Sequence, residues 1–193
     1  MATSKIAGKK RRSPITRAEG EQRLIDAAIS LLRQRPFSEV GVRDIAALAD
    51  VNHGFVHTWF GSKNDLLLRV VRQLNEALAQ KAALAAPGTT ALNPNEPDAQ
   101  LAVRLLIWLN LEGVETKDLF SSLVVLDALE KRYVDIEGIS QHDARTAAYM
   151  ATAIGISIAS FRDILGGEEK VDTVDMLVLW RHLLGLLAKH PRA

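Results

Sequence analysis

Apolar residues recur every three or four positions along most of this chain, which is the spacing of one face of an α-helix. The pattern predicts helices over residues 17–34, 42–49, 53–60, 63–85, 99–112, 119–133, 141–165 and 173–190. Residues 123–126 are the best local candidate for a strand, but they lie within a helical period. Ser62, Ser140 and Asp172 stand where N-caps are expected. The pattern therefore predicts an all-α protein.

The two shortest helices follow each other closely and form a helix-turn-helix corner. In the first, Ile45, Ala46 and Ala49 belong to the buried stripe, and in the second Val56 and Phe60 are four residues apart. The turn at 50–52 is Asp-Val-Asn, and both Asp and Asn tolerate left-handed backbone. A rigid corner of this kind can place its second helix in the major groove of DNA.

Charge is distributed unevenly, although the net charge of the 193 residues is only +1. Residues 1–72 contain 13 Lys and Arg against 7 Asp and Glu, a net charge of +6. Residues 73–193 contain 11 against 16, a net charge of −5. A basic part joined to an acidic one is typical of a protein in which one part binds phosphate.

Three parts are predicted along the chain. Residues 1–16 are predicted to be a basic, disordered arm, residues 17–68 a three-helix DNA-binding domain, and residues 69–193 a helical bundle for effector binding and dimerisation. The first segment is either a solvated tail or an arm that contacts DNA. Its basic run consists of Lys9, Lys10, Arg11 and Arg12.

Several classes of protein are not favoured by the composition. No run of 18 apolar residues predicts a membrane span, and the basic N-terminus lacks the apolar run of a secretory signal. Without cysteine there is no disulfide or thiolate metal site, and the five histidines lack zinc-site spacing. Neither a phosphate-binding loop nor a glycine-rich dinucleotide turn is found. We therefore expect a cytoplasmic protein that is not an enzyme and takes no metal or cofactor.

The helix-turn-helix corner and its flanks resemble the TetR/AcrR family of transcriptional regulators. The matching positions are Ile25-Asp-Ala-Ala-Ile, Phe37, Val42-Arg-Asp-Ile-Ala, Val51-Asn52, Gly54, Phe60-Gly-Ser-Lys63 and Leu66-Leu67. The resemblance covers about residues 20–68, and beyond them only the helical architecture agrees. It implies a homodimer that binds a palindromic operator on double-stranded DNA and releases it when a small ligand binds the second domain.

The resemblance also implies which residues contact DNA. Asn52 begins the recognition helix, and Lys63 binds a phosphate. Together with the basic run, the predicted contacts are Arg43, Asn52, His53, Gly54, Phe55, His57, Thr58, Trp59 and Lys63. For the two histidines the alternative is simple exposure, and for Trp59 it is closure of the small core.

This corner departs from the family pattern in ways that change how it would read DNA. His57 stands where Tyr is common, and Val40 and Gly41 replace hydroxyl residues that hold phosphate. No Arg or Gln, the strong base readers, occurs between Asn52 and Phe60. We therefore expect firm docking on backbone and DNA shape with few direct base contacts.

Two further sites are predicted in the second domain. Small residues at four-residue spacing on one helix, with apolar residues on the last helix, indicate either packing within the chain or a dimer interface, and family architecture favours the second. This set is Ala147, Ala151, Gly155, Ala159, Leu177, Trp180 and Leu184. An apolar effector pocket is expected to draw on Arg104, Trp108, Tyr133, Tyr149, Met150 and Phe161.

The sequence thus predicts a ligand-responsive DNA-binding regulator, most simply a repressor. One alternative is a TetR-like DNA binder controlled by a protein partner, without a small-molecule effector; a second domain that lacks a pocket would favour it. The other is an all-α enzyme or carrier with the corner as scaffold, against which the basic first third argues.

Overall fold

The computed structural model describes residues 15–116, 124–165 and 173–190, without the side chains of 162–165 and 173. Within these ranges the chain forms eight α-helices and one 3₁₀ turn, and no strand. The predicted all-α class is confirmed. The basic run at residues 9–12 lies outside the described residues.

The helices agree closely with the predicted bounds. In chain order they are α1 (Arg17–Leu32), α2 (Val42–Ala49), α3 (Gly54–Trp59), α4 (Lys63–Leu84), α5 (Pro97–Leu111), α6 (Val124–Asp135), α7 (Gln141–Leu165) and α8 (Thr173–Lys189). The bounds of α2 and α7 and the starts of α1, α4 and α8 are as predicted, and the other ends differ by one or two residues. The exception is the start of α6, because residues 117–123 lie outside the described ranges.

Two serines cap the long helices as predicted. The Ser62 hydroxyl accepts a hydrogen bond from the backbone N–H of Asp65 (3.1 Å) and donates to the Asp65 carboxylate (2.6 Å). The Ser140 hydroxyl makes the same two contacts with Asp143 (3.2 and 3.1 Å). Each pair satisfies an N–H that has no partner within its helix and so fixes where the helix begins.

The first three helices and the start of α4 enclose one small core, which we call the head. Leu24, Val40, Ile45, Val56 and Leu66 are all fully buried in it. Val40 precedes α2 at the position where the family often has a hydroxyl residue. Its burial shows that this chain uses the position for packing.

Helix α5 belongs to the same core although it lies 30 residues or more beyond α3 along the chain. Leu105 and Leu109 are fully buried in the cluster that contains the head residues. At the other end of α5, the Arg33 guanidinium forms an ion pair with the Asp98 carboxylate. The head is therefore joined to the second domain by packing as well as by the continuous helix α4.

A second core forms where α6 packs between α4 and α7. Leu126, Leu129 and Tyr133 of α6 and Ala144 and Ala148 of α7 are buried there. The alanines let α7 approach α6 closely, because they carry little side-chain volume. Helix α8 joins this core mainly on one side, through Leu184 and its neighbours.

Arg132 ties α6 to the end of α4. Its side chain is 1% exposed, and it donates hydrogen bonds to the carbonyl groups of Ala82, Ala85 and Ala86 and to the Glu137 carboxylate. These carbonyls lie at or just beyond the C-terminal end of α4, where the helix leaves oxygens unpaired and where positive charge is favourable. A buried charge is tolerated because every one of these contacts offsets its lost hydration.

We expect Arg132→Gln to lower the free energy of unfolding by about 3 kcal/mol, because it leaves Glu137 and several carbonyls without their partner. Lys131→Gln is the matched control, since Lys131 pairs with Asp135 across exposed side chains. It should change stability little. Urea unfolding monitored by circular dichroism compares the two, and equal effects would contradict this account of Arg132.

Candidate nucleic-acid interface and effector cavity

The turn between α2 and α3 depends on one residue in the left-handed conformation. Asp50 ends α2 with φ 55° and ψ 41°, and it is the only non-glycine residue with positive φ in the described ranges. Two residues on, the Asn52 side-chain oxygen accepts from the Gly54 N–H at 2.9 Å. Both residues thus support the turn in the way their residue types predict. Asp50 adopts the left-handed backbone, and Asn52 accepts a hydrogen bond through its side chain.

One face of α3 points away from the head. Asn52, His53, Phe55, His57 and Thr58 are exposed, whereas Val56 between them is fully buried. Helix α3 has six residues and is one residue shorter at each end than predicted. The face predicted to read DNA is therefore a real surface, held in place by Val56.

Two polar groups of this face are already hydrogen-bonded within the corner. The Thr58 hydroxyl donates to the Gly54 carbonyl at 3.1 Å, which leaves its methyl group and oxygen lone pairs for other contacts. Nδ1 of His57 lies 3.3 Å from the Gly61 carbonyl oxygen. When Nδ1 donates there, a neutral ring keeps only an acceptor at Nε2, and only the protonated ring offers a second donor.

Trp59 supports the reading face from behind. Its ring stacks on Phe55 with centroids 4.3 Å apart and an interplanar angle of 3°, and it packs against the head core. A Cβ atom at Gly20 would come within 2.5 Å of the indole, so α1 can approach Trp59 only because residue 20 is glycine. Of its two predicted roles, closing the core matches this position better than contacting DNA.

Lys63, which was predicted to bind a phosphate, contacts the head and α5 in this structure. Its ammonium is 3.5 Å from the Phe37 carbonyl oxygen and 5.7 Å above the centre of the Trp108 ring. Burial lowers the pKa of Lys63, and the Glu112 carboxylate partly offsets this. The Lys63 side chain turns toward the Trp108 ring of α5, because a cation is attracted to an aromatic face. No local sequence pattern reveals this contact between α4 and α5.

Two arginines lie near the corner, and one of them, Arg17, is paired with the Glu21 carboxylate. Arg43 is exposed on α2, as predicted. Sequence reasoning missed Arg17 at the start of α1, whose guanidinium donates to the Trp59 carbonyl at 3.3 Å. The residues are 42 positions apart, so only the folded chain brings Arg17 to the end of α3.

A cavity of about 870 Å³ lies among α4, α5, α6, α7 and α8. Of the predicted effector residues, Tyr133 and Met150 line it. Arg104, Trp108, Tyr149 and Phe161 are not among the lining residues, so this cavity does not support an effector contact for these four. Trp108 packs edge-on against Phe37 of the head at 6.1 Å between ring centres, and Tyr149 is 67% exposed.

The cavity lining includes residues that the sequence did not single out. They come from one side of α5 and from the loop before it, for example Val103, Leu106, Asn110 and Asn93. Helix α5 is apolar nearly all round, so its pattern marks it as central without showing which side faces empty space.

Comparison with known proteins places these features in a family. The sequence profile described as bacterial regulatory proteins, tetR family, matches residues 24–70, which contain the whole corner and the start of α4. This match and the relatives below support a TetR-family transcriptional regulator with a DNA-binding head, as the resemblance predicted.

The relatives support this assignment beyond the head. The HTH-type transcriptional repressor Rv3405c of Mycobacterium tuberculosis is 28% identical over 174 residues, which cover 88% of each protein. Among solved structures, the TetR family repressor AlkX of a Dietzia species has a TM-score of 0.59 at 21% identity, covering 86% of this chain and 97% of that one. GusR of Salmonella enterica has a TM-score of 0.62 at 16% identity, covering 94% and 100%. At these identities the structures establish the fold.

The residues predicted for the dimer interface lie in the second core of their own chain or along its cavity. Ala147 and Leu184 belong to the second core, and Ala151, Gly155, Ala159, Leu177, Trp180 and Leu184 line the cavity. These contacts lie within the protomer, and the role of the same residues in an interface between two copies stays a prediction. Small side chains at this spacing allow one helix to approach another, but they do not show whether that helix comes from the same chain.

Other large apolar side chains of α7 and α8 are exposed and do not line the cavity. We call them the outer face, formed by Tyr149 and Phe161 of α7 and Val174, Val178 and Leu186 of α8, all between 43% and 67% exposed. Clusters of large exposed apolar side chains are typical of interaction sites.

Other kinds of site find no support in the described residues. No group of three or more His, Asp or Glu side chains there could hold a metal ion. No helix among them is both long enough and apolar enough to cross a membrane.

The left-handed turn gives a test of the corner. Asp50→Val should lower the free energy of unfolding by about 1–2 kcal/mol, because a β-branched residue is strained at φ 55°. Asp50→Asn is the control, since Asn tolerates this conformation, and it should stay close to the wild type. Thermal unfolding measures the stability of both variants. An Asp50→Val protein as stable as the wild type would contradict the turn geometry.

The inward position of Lys63 gives a second test. A double-mutant cycle with Lys63→Met and Trp108→Leu should show a coupling energy of about 0.5–1 kcal/mol in urea unfolding, because each change removes the same cation–aromatic contact. Lys63→Met should also leave the salt dependence of DNA binding unchanged. If the slope of log affinity against log salt concentration instead became shallower by about one unit, Lys63 would contact a phosphate.

Proposed function

We propose that this chain is a homodimeric repressor that binds a palindromic operator and releases it when a small, largely apolar molecule fills the cavity. The observation that carries the proposal is the double role of α5. Leu105 and Leu109 on one side are buried in the head core, while Val103 and Leu106 line the cavity. A ligand that shifts α5 must therefore also disturb the packing of the head.

The cavity favours control by a small molecule over control by a protein partner. A second domain without a pocket would have supported a protein partner. A cavity of about 870 Å³ lies within the range of small-molecule sites. Repression is supported by Rv3405c, which is named a transcriptional repressor.

The outer face supports a homodimer. A two-fold pair of these faces would remove the large apolar side chains of α7 and α8 from water. It would also place two heads on half-sites about one DNA turn apart, which is why we expect a palindromic operator.

The exposed groups of α3 suggest how the operator is read. Phe55 and the Thr58 methyl group suit thymine methyl groups, and Asn52, His53 and His57 suit base edges or phosphates. The short helix offers no Arg or Gln, so backbone contacts and DNA shape supply much of the specificity.

Selection of bound duplexes from a random pool should yield a palindromic consensus. Thr58→Ala should change the preferred base at one position in each half-site. Thr58→Val should keep it, because the methyl group is retained and the hydroxyl hydrogen is already committed to Gly54. No binding even at low salt would contradict DNA recognition, and a steep salt dependence without a consensus would leave only non-specific phosphate binding.

The outer face predicts the assembly state. The double variant Val178→Glu, Leu186→Glu should sediment as a monomer and lose operator affinity, because it buries two carboxylates where the two copies meet. Leu84→Glu is the matched control, since Leu84 is also a large exposed residue but lies at the end of α4. Analytical ultracentrifugation distinguishes them, and a double variant that stays dimeric would place the interface elsewhere.

A further inference from the structure

We propose that the cavity binds a neutral, largely apolar molecule with one hydrogen-bond acceptor, to which the Tyr133 hydroxyl donates. This inference rests on the proposed effector-binding function and names the chemical class of the ligand. It depends on which lining groups already have partners.

Most of the lining is hydrocarbon. Leu78, Val103, Leu106, Leu129 and Ile158 supply aliphatic surface from four different helices. Transfer of a ligand's apolar surface from water to such walls is favourable in proportion to the area buried. The size of the cavity leaves room for a chain or ring system of roughly ten or more carbon atoms.

The buried cation of the lining is not available to an anionic ligand. Arg132 lines the cavity, but its guanidinium is engaged with three carbonyl groups and with Glu137. The Glu137 carboxylate, which also lines the cavity, is engaged by the same contact. A carboxylate or ammonium group deep in the cavity would therefore lose its hydration without gaining a free partner.

Tyr133 differs from these charged groups because it keeps a hydrogen to donate. Trp180 Nε1 donates to the Tyr133 hydroxyl oxygen at 3.2 Å, so the oxygen acts as acceptor in that bond. No acceptor for the Tyr133 O–H is found among the described residues. Burial raises the pKa of Tyr133, which keeps the phenol protonated.

The Trp180 contact also fixes the direction of the phenol. Both side chains line the cavity, and Tyr133 is 3% exposed. A donor whose oxygen is already held by an indole N–H is preorganised, so little rotational freedom is lost when a ligand acceptor arrives. The remaining polar lining groups are neutral amides and hydroxyls, such as Asn75 and Thr152, except Arg181, which is exposed.

The experiment compares four ten-carbon probes on the full chain. Displacement of the neutral dye Nile red is measured with decan-2-one, decane, decanoate and decylammonium. The proteins are the wild type, Tyr133→Phe and Trp180→Phe. A fourth variant, Gly155→Phe, is designed to fill the cavity, because a Cβ atom at Gly155 would meet no other atom within 4 Å and the residue is part of the lining.

We expect the wild type to bind decan-2-one at least about tenfold more tightly than either charged probe. Tyr133→Phe should lower the ketone affinity about five- to tenfold and leave decane within about twofold, because only the ketone accepts a hydrogen bond. Trp180→Phe should keep the preference for ketone over decane, since the Tyr133 hydroxyl remains. Gly155→Phe should weaken all of the probes that bind.

Different failures have different meanings. Equal losses for ketone and decane in Tyr133→Phe would overturn the assigned donor but leave the effector-binding function standing. Preference for decanoate, abolished by Arg181→Gln, would overturn the neutral class and identify an anionic ligand held at the exposed arginine. No displacement by any probe, with Gly155→Phe behaving as the wild type, would contradict the proposed effector function itself.

Discussion

The packing of α5 into the head is the constraint on which the rest of this structure depends. Leu105 and Leu109 are fully buried beside residues of α1, α2 and α4, and the Arg33–Asp98 ion pair holds the first turn of α5 to the end of α1. Protein interiors are close-packed, so a helix shared by two environments cannot move in one without changing the other.

The same helix accounts for the unexpected position of Lys63. The Trp108 side chain projects from α5 toward the head, and the Lys63 ammonium lies over its ring. Phe37 packs edge-on against the same ring. A lysine that a family pattern assigns to phosphate is thereby recruited to the contact between head and second domain. Arg43 is exposed at the corner, and the fold brings Arg17, which also pairs with Glu21, to the end of α3.

Two buried polar residues of the second domain, Arg132 and Tyr133, have different roles. Arg132 holds the end of α4 to α6, and its hydrogen bonds stabilise this packing. Tyr133, the next residue, points its hydroxyl toward Trp180 at the cavity. Neighbouring residues on one helix can have such different roles because successive side chains project about 100° apart around the axis.

Local chemistry made much of the fold predictable. Apolar periodicity and caps such as Ser62 and Ser140 fixed the helices to within one or two residues wherever both ends are described, because helical hydrogen bonds and caps connect residues close in sequence. The corner was predictable for the same reason: Asp50 and Asn52 carry the turn through their own backbone and side chain.

Contacts between distant segments could not be predicted in this way. The sequence by itself determined the helices, the corner and the family of the DNA-binding head. Only the tertiary structure decided that the small-residue stripe of α7 lies along the second core and the cavity of its own chain, that Trp108 faces the head and that Tyr133 lines the cavity. The physical reason is that periodicity identifies an apolar face but not its partner, which is chosen by how all the helices pack together.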